Sequence, residues 1–254
     1  MTHQPLDGKV LVVTGGTRGI GRAIVLEAVR QGASVAFCGR EVGGSAREVE
    51  ESAEHVAAGR TLAVAADVSR EPDVAGLFEA AARRFGRVDA AVSNAAASTS
   101  SLLVGLSTDE WDHIASTNVT GPFLVAREMV RRATEAGRPA AIVNIGSISQ
   151  DGARANASYA ATKGALDGLT RGVAAEYGRD GIRANLVVAG WVETDLAREL
   201  PERTRRFWRE VCPAQRPATA EEVAAVALFL AADRSRPLNG RSVYATAGLR
   251  QLPV

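Results

Sequence analysis

The sequence predicts an α/β fold in which helices cover both faces of one parallel sheet of about seven strands. Short apolar runs alternate with longer helical patterns from residue 9 to residue 245, which is typical of a doubly wound sheet. A glycine-rich turn joins the first apolar run to the first helical segment. No repeat, low-complexity linker or charge block divides the 254 residues, and 46% of them are hydrophobic. We therefore expect a single domain over residues 1–254.

Each predicted strand is a short apolar run bounded by Gly or polar residues, and each predicted helix is longer, with apolar residues at helical spacing. The first strand lies between Gly8 and Gly15, and the first helix stops at Gly32. In chain order the predicted elements are a strand at 9–14, a helix at 19–31, a strand at 34–38, a helix at 44–58, a strand at 61–65, a helix at 71–85, a strand at 88–93, a helix at 108–136, a strand at 140–145, a helix at 156–177, a strand at 183–188, a helix at 220–232 and a strand at 242–245. Sheets of this kind bind ligands beyond the carboxyl ends of their strands.

Composition excludes several classes of function. A net charge of +1 gives no electrostatic case for binding nucleic acid or an anionic membrane. The three His and two Cys form no cluster, so we expect no metal site. Cys38 and Cys212 suit a reducing compartment. The first residues lack the pattern of a signal peptide, and no apolar run approaches the roughly 18 residues that span a bilayer. We expect a cytoplasmic protein.

Lysine is rare in this chain, and one of its two lysines follows a tyrosine at helical spacing. The chain has 28 Arg but only Lys9 and Lys163, and Lys163 stands four residues after Tyr159. Residues i and i+4 lie on one face of a helix. An ammonium near a phenol favours the phenolate and lowers its pKa, which makes a general acid or base. Taken alone, the pair is also compatible with an ordinary surface contact.

A glycine-rich turn and a strand-end arginine predict a dinucleotide site. Thr14-Gly-Gly-Thr-Arg-Gly-Ile-Gly21 lies between the first strand and first helix, where glycines let the backbone approach a pyrophosphate at the helix N-terminus. NAD sites usually place an acid at the end of the second strand. Here Arg40 stands there, and with Arg18 it suits a 2′-phosphate, so we expect NADP(H) over NAD(H). In the alternative, Arg40 is only solvated and Glu41 binds the ribose.

These patterns together resemble the short-chain dehydrogenase/reductase family, most closely its 3-oxoacyl-[acyl-carrier-protein] reductase-like branch. The resemblance covers nearly the whole chain. It rests on motifs in the family's order: the turn 14–21, Asp67-Val68, Ser93-Asn-Ala-Ala96, Asn118, Ser147, Tyr159 with Lys163, and Gly190 followed by Thr194. It implies a Rossmann fold, a nicotinamide cofactor and interconversion of a ketone with an alcohol.

The resemblance also implies roles for individual residues. Tyr159 would protonate the carbonyl oxygen in reduction, and Ser147 would hydrogen-bond that oxygen. Lys163 would lower the pKa of Tyr159 and hold the nicotinamide ribose, and Asn118 would position a water that links Lys163 to solvent. The implied cofactor-binding residues are Gly15, Thr17, Arg18, Gly19, Ile20, Gly21, Arg40, Asp67, Val68, Asn94, Ala95, Tyr159, Lys163, Gly190, Val192 and Thr194.

Some of these residues have simpler interpretations. Ser149 competes with Ser147 for its role, and Asn118 also fits a helix-interior residue that bonds main-chain carbonyls. Asp67 or Ser69 also fits the N-cap of the following helix.

The chain departs from the family pattern at three places. Ala189-Gly190 replaces Pro-Gly after the sixth strand, so we expect a looser loop there. Thr246-Ala247-Gly248 replaces Asp-Gly-Gly after the last strand and predicts altered C-terminal packing. Ala175 stands where carrier-protein reductases often have Arg, which weakens the case for an acyl carrier protein as partner. Three other arginines offer compensation: Arg131, Arg132 and Arg171.

Residues 195–217 are predicted to form a lid over the substrate, with an apolar wall from Trp191, Phe207 and Trp208. The five arginines of this stretch suit either an acidic substrate or a solvated helix balanced by Glu199, Glu202 and Glu210; they are Arg198, Arg203, Arg205, Arg206 and Arg209.

Our leading hypothesis is an NADPH-dependent ketoreductase that reduces a 3-oxoacyl thioester or a related biosynthetic ketone, assembled as a homotetramer as the resemblance implies. One alternative is an NAD(P)-dependent dehydrogenase that oxidises a sugar or cyclic secondary alcohol. The other is a non-catalytic dinucleotide-binding sensor, which would have no need to retain the rare Lys163.

Overall fold

The structure is a computed structural model that describes residues 4–193 and 202–249. Its core is one seven-stranded, fully parallel sheet in the order β3-β2-β1-β4-β5-β6-β9. The strands are β1 Val10–Thr14, β2 Ser34–Gly39, β3 Thr61–Ala65, β4 Ala90–Ser93, β5 Ala140–Ser147, β6 Ile182–Ala189, β7 Val192–Glu193, β8 Ala218–Thr219 and β9 Arg241–Ala245. The predicted fold class is confirmed, and β7 and β8 form a separate two-residue ladder that the sequence did not indicate.

Helices cover both faces of the sheet, and each face has its own hydrophobic cluster. The helices are α1 Gly19–Arg30, α2 Gly44–Glu54, α3 Glu71–Phe85, α4 Thr108–Ala115, α5 Gly121–Glu135, α6 Ala157–Tyr177, α7 Glu202–Val211 and α8 Ala220–Ala231. Buried residues of α1, α2 and α8 belong to one cluster, and those of α3 and α5 to the other. In the part of the chain that the structure describes, no helix combines the length and apolar character needed to cross a membrane.

The helix predicted over 108–136 is interrupted in its middle. A π-helical turn at Ser116–Thr120 separates α4 from α5, and Asn118 lies inside that turn. A π turn inserts one residue into the α pattern and often marks a functional site. Apolar periodicity did not reveal the break, because apolar residues continue on both sides of it.

Chain order and sheet order differ most at the centre of the sheet, where β1 lies between β2 and β4. The chain therefore turns to opposite sides after β1 and β4, which opens a crevice at their carboxyl ends. Thr14, Ser93 and Ser147 end three neighbouring strands at this edge. The fold thus brings the glycine turn and the predicted catalytic serine to one crevice.

Candidate active site

The turn after β1 requires glycine, for two different reasons at different positions. Gly15 and Gly19 have positive φ values of 64° and 53°, which favour glycine. A Cβ on Gly21 would lie 2.0 Å from the carbonyl oxygen of Gly15 and 2.5 Å from Nδ2 of Asn94. The backbone of the turn therefore packs directly on the first turn of α1.

Asn94 and Thr14 fasten this turn to the end of β4. The main-chain N–H groups of Asn94 and Ala95 donate to Oγ1 of Thr14, at 3.0 and 3.1 Å. Nδ2 of Asn94 donates to the carbonyl oxygens of Thr14 (3.1 Å) and Gly15 (2.9 Å). These bonds fix the two walls of the crevice relative to each other. Thr14 was not predicted to have this role, since one threonine at a strand end carries no pattern of its own.

The N-terminus of α1 is free to bind an anion. No side chain caps it, and its first turn contains no acid. By contrast, α4 and α8 each begin with a capping box, made by Ser107 with Glu110 and by Thr219 with Glu222. The uncapped N–H groups, the helix dipole and the glycine turn together fit a dinucleotide pyrophosphate.

The residues predicted to read the cofactor's adenosine half surround this turn. Arg18 precedes α1, and Arg40 follows β2; both are exposed, and neither forms an ion pair with a residue that the structure describes. A Cβ on Gly39 would lie 2.7 Å from Cγ2 of Thr17, so the chain before Arg40 touches the turn. Ile20 packs against the core below.

Asp67 and Val68 lie beside this group, beyond the end of β3. Oδ1 of Asp67 accepts hydrogen bonds from the N–H and hydroxyl of Ser69, at 2.9 and 2.7 Å, and these bonds lower the pKa of Asp67, with Arg40 adding to the effect. Asp67 thus stabilises the turn before α3, while Arg70 occupies the N-cap position itself. Val68 is buried against Gly121.

Ser147, Tyr159 and Lys163 meet at the carboxyl end of β5. Nζ of Lys163 lies 5.5 Å from the centroid of the Tyr159 ring and donates to the carbonyl oxygen of Ile145 at 2.8 Å. The hydroxyl of Ser147 lies close enough to the Tyr159 phenol to lower its pKa, and Ser149 has no such effect. Oγ of Ser147 also accepts a hydrogen bond from the N–H of Ser149 at 3.2 Å.

Burial controls the protonation of this group. Lys163 is 3% exposed, and the lack of solvent lowers its pKa to about 8. Burial also raises the pKa of Tyr159, and the nearby Ser147 hydroxyl offsets this only in part. The sequence predicted a lowered Tyr159 pKa. The direction differs here because desolvation of the phenol dominates and the ammonium of Lys163 is bonded to a main-chain oxygen.

Asn118 is buried, and its side chain is fully engaged with the protein. Its amide accepts from the N–H of Ala97 and donates to the carbonyl oxygen of Ala97, both at 2.8 Å. Nδ2 also donates to Oγ1 of Thr162 at 3.1 Å, and Thr162 donates to the carbonyl oxygen of Tyr159 at 2.9 Å. Asn118 therefore ties the chain after β4 to the catalytic helix. Thr162 was missed in the sequence because its role depends on this contact across 44 positions.

Ala189, which stands where the resemblance leads us to expect proline, lies within β6. Ala189 is buried and pairs with Ser147 on one side and Ala245 on the other, so it continues the strand. The next residue, Gly190, is needed because a Cβ there would lie 2.7 Å from Cα of Thr246. Val192 is buried in β7, and Thr194 lies outside the described residues.

The departure after β9 has a local cost. Ala247 has a φ of +52°, a conformation in which a Cβ is unfavourable. Its carbonyl oxygen accepts from the N–H of Ala214, which ties this turn to the segment before β8.

The described part of the predicted lid begins with α7, in which three charged side chains are paired. Glu202 forms ion pairs with Arg205 and Arg209. The first residues of the lid, 195–201, which include Arg198 and Glu199, lie outside the described residues.

The three arginines expected to compensate for Ala175 are also paired. Arg131 and Arg132 bond carboxylates of α5, and Arg171 bonds Asp167 at 2.7 Å. They therefore offer less charge to an acidic carrier protein than the sequence alone indicates.

Comparison with known proteins places the chain in a family. A family model described as enoyl-(acyl carrier protein) reductase matches residues 15–250. The 3-oxoacyl-[acyl-carrier-protein] reductase FabG of Pseudomonas aeruginosa is 37% identical over 96% of this chain and 98% of its own length. The (3R)-3-hydroxyacyl-CoA dehydrogenase of Mus musculus is 32% identical over 96% of this chain and 97% of its own. Tetrahydroxynaphthalene reductase PfmaG of Pestalotiopsis fici is 30% identical over 97% and 93%.

A solved structure agrees with these relatives. The crystal structure of a short-chain type dehydrogenase/reductase from Mycobacterium marinum superposes with a TM-score of 0.91 at 28% identity, covering 99% of this chain and 98% of the other. The chain thus belongs to the short-chain dehydrogenase/reductase family and is an oxidoreductase that uses a nicotinamide dinucleotide to interconvert a secondary alcohol and a ketone.

Proposed function

We propose that this protein is an NADPH-dependent ketoreductase in which Tyr159 is the proton donor. The observation that carries this is the position of Tyr159 at the end of β5, with Nζ of Lys163 5.5 Å from its ring centroid and Ser147 close enough to affect its pKa. A phenol whose pKa is raised stays protonated at neutral pH, so Tyr159 is ready to give a proton to a carbonyl oxygen.

Each side chain of the site has a distinct task. The hydroxyl of Ser147 holds the carbonyl oxygen beside the phenol, which stabilises the negative charge that develops there. Lys163, with a pKa of about 8, supplies a nearby positive charge when protonated and returns a proton toward Tyr159 after each turnover. Asn118 acts as a positioning residue, because it holds Thr162 and thus the turn that carries Tyr159.

The cofactor fits the glycine turn and the uncapped α1. When bound, the nicotinamide supplies the hydride. Gly15, Gly19 and Gly21 provide room for the pyrophosphate, and Arg18 and Arg40 provide unpaired charge for a 2′-phosphate. Asp67 and Val68 are placed for adenine, Asn94 and Ala95 line the trough, and Gly190 and Val192 flank the nicotinamide end.

Replacing Tyr159 with Phe tests the proposal. NADPH oxidation with a 3-oxoacyl thioester and with a cyclic ketone is followed by the nicotinamide absorbance. We expect Y159F to lose at least about 100-fold in kcat, since general acid catalysis contributes that much, while NADPH binding is retained. Tyr244→Phe is the matched control, because Tyr244 is 51% exposed on β9. Undiminished turnover by Y159F would contradict the mechanism. Tight NADPH binding by wild type without turnover of any ketone would favour the non-catalytic sensor.

The remaining expectations extend the proposal. The relatives are named for thioester-linked 3-oxoacyl chains and for tetrahydroxynaphthalene, so both linear and cyclic ketones belong in the assay. Residues 1–254 form one domain, for which residues 195–217 act as the lid. The protein works in the cytoplasm. Acyl carrier protein is a weak candidate partner, because the arginines near Ala175 are paired.

The groove between α5 and α6 supports assembly with further copies of the chain. Its volume is about 590 Å³, its floor is apolar, and both charge signs line it through Arg127, Arg131, Glu135 and Glu176. Along α6, Gly164 and Gly168 are exposed with open space above them. We expect a homotetramer with this face in one interface. Sedimentation should show that Gly168→Arg lowers the oligomeric state, and an unchanged state would exclude this face.

A further inference from the structure

Three aromatic rings meet at the substrate end of the crevice. Trp191 and Trp208 are stacked, with ring centroids 5.9 Å apart and an interplanar angle of 25°. Phe207 meets Trp208 edge-on at 5.6 Å. Both Trp side chains are half-buried and Phe207 is 45% exposed, so the cluster keeps aromatic surface open. We call these three residues the aromatic wall.

The α7 helix turns its apolar face toward the protein. Glu202, Arg205 and Arg209 follow at spacings of three and four, so they share one face, and they are paired with one another. Phe207, Trp208 and Val211 share another face by the same spacing. Trp208 and Val211 pack against the small hydrophobic cluster that contains Ile148 and Leu166. Trp208 therefore lies on the inner surface of α7, and Trp191 joins the wall from the end of β6.

The wall lies on the Ser147 side of the crevice, away from the phosphate turn. Ile148 directly follows Ser147, and it belongs to the cluster on which Trp208 packs. Trp191 comes two residues after Ala189, which pairs with Ser147 across the sheet, and its carbonyl oxygen accepts from Ala218 at 3.1 Å. Across the carboxyl edge, the order is the phosphate turn after β1, the trough after β4, Ser147 on β5 and the wall after β6.

We infer that the aromatic wall is a specificity element that selects a flat, aromatic-fused cyclic ketone over a saturated or linear one. This inference rests on the proposed function, since it concerns the substrate of the same site. Aromatic rings attract other aromatic rings by offset stacking and edge contacts beyond the hydrophobic effect. A flexible acyl chain gains only burial from such a wall. Arg205 and Arg209 on the same helix are already paired with Glu202.

Two ketones with the same frame test the inference: 1-tetralone, whose second ring is aromatic, and 1-decalone, whose second ring is saturated. NADPH-dependent reduction of each is measured with wild type, Trp208→Leu and Phe207→Leu. The control is Trp111→Leu, which removes a tryptophan from α4, outside the wall. Dividing the KM of each variant by the wild-type KM for the same ketone removes the difference in intrinsic reactivity between the two ketones. We expect Trp208→Leu to raise KM for 1-tetralone about five-fold more than for 1-decalone, as stacking energies imply.

A binding measurement on the NADP⁺-loaded protein provides a second readout. Titration with 2-naphthol, an aromatic alcohol, should give a dissociation constant about five-fold higher in Trp208→Leu and unchanged in Trp111→Leu. If Trp208→Leu fails to fold, Phe207→Leu tests the wall instead, because Phe207 is at an exposed position. We expect this variant also to raise the dissociation constant of 2-naphthol.

The outcomes separate the two proposals. If Trp208→Leu changes KM equally for 1-tetralone and 1-decalone, the aromatic wall is not a specificity element. That result would leave Tyr159 as the proton donor. If no ketone is reduced, the proposed function fails, and the 2-naphthol titration still decides the wall: binding that depends on Trp208 supports it, and binding that does not overturns it.

Discussion

The two ends of the crevice are built by different means. At the cofactor end, the main chain makes the site: a Cβ on Gly15, Gly16 or Gly21 would lie 2.0–2.9 Å from a neighbouring atom, and Gly19 has a positive φ. At the substrate end, side chains make the site, through the stacked rings of Trp191 and Trp208. A site made of backbone permits almost no substitution, whereas a site made of side chains can change with each residue. The family motifs are accordingly intact at the first end, and two of the departures fall near the second.

The largest expected effect tests the rigidity of the cofactor end. Gly21→Ala places a Cβ 2.0 Å from the carbonyl oxygen of Gly15. Because the conflict is with backbone, we expect a loss of stability of about 3 kcal/mol and an NADPH affinity too weak to measure. Denaturant unfolding and NADPH titration check this. Gly76→Ala on exposed α3, where a Cβ meets nothing within 4 Å, should instead stabilise the protein by about 0.5–1 kcal/mol. Equal changes in stability and NADPH affinity in Gly21→Ala and Gly76→Ala would show that the cofactor end is no more rigid than the rest of the protein.

The choice of cofactor is the side-chain part of that rigid end. Arg40→Asp should weaken NADPH binding by about 100-fold and leave NADH binding nearly unchanged, because a bond between charged groups contributes about 1.5–3 kcal/mol. Titration with both cofactors measures the change. Arg47→Asp, the same change of charge on exposed α2, controls for long-range electrostatics. If Glu41 were instead the ribose ligand, wild type would bind NADH at least as well as NADPH.

Between the two ends, buried Lys163 links stability to pH. Its pKa falls from 10.5 in the unfolded chain to about 8 in the folded protein, so between these values the unfolded chain binds more protons. The contribution of Lys163 to the free energy of unfolding therefore rises with pH above 8, by about 2 kcal/mol between pH 8 and pH 10. Denaturant unfolding of wild type and Lys163→Met across this interval measures it. Parallel curves for the two proteins would show that Lys163 is not the group responsible.

The smallest expected effect probes the tolerant end. Ala247 has a φ of +52°, so Ala247→Gly relieves an unfavourable conformation but adds freedom to the unfolded chain. We expect a net gain of about 0.5 kcal/mol with no change in kcat. Chemical denaturation detects a shift of this size. A loss of activity would show that this turn, unlike the rest of the substrate end, is constrained by function.

The sequence by itself determined the order of the elements and the residue types of the site. Helix 71–85 coincides with α3, and seven strands were predicted where the sheet has seven. These features are local, because a strand or helix follows from spacing within a short window. Helical spacing similarly indicated that Tyr159 and Lys163 lie on one face of α6, where Nζ of Lys163 is 5.5 Å from the Tyr159 ring centroid. Ser147 came from the family resemblance.

Only the tertiary structure decided the features that depend on distant contacts. The π turn around Asn118, the pairing of Arg131 and Arg171, and the stacking of Trp191 on Trp208 all join groups whose partners no local pattern specifies. The direction of the Tyr159 pKa also belongs here, since spacing showed a lysine one turn away but not the burial that outweighs it. Desolvation is set by everything packed around a group, and that packing exists only once the chain has folded.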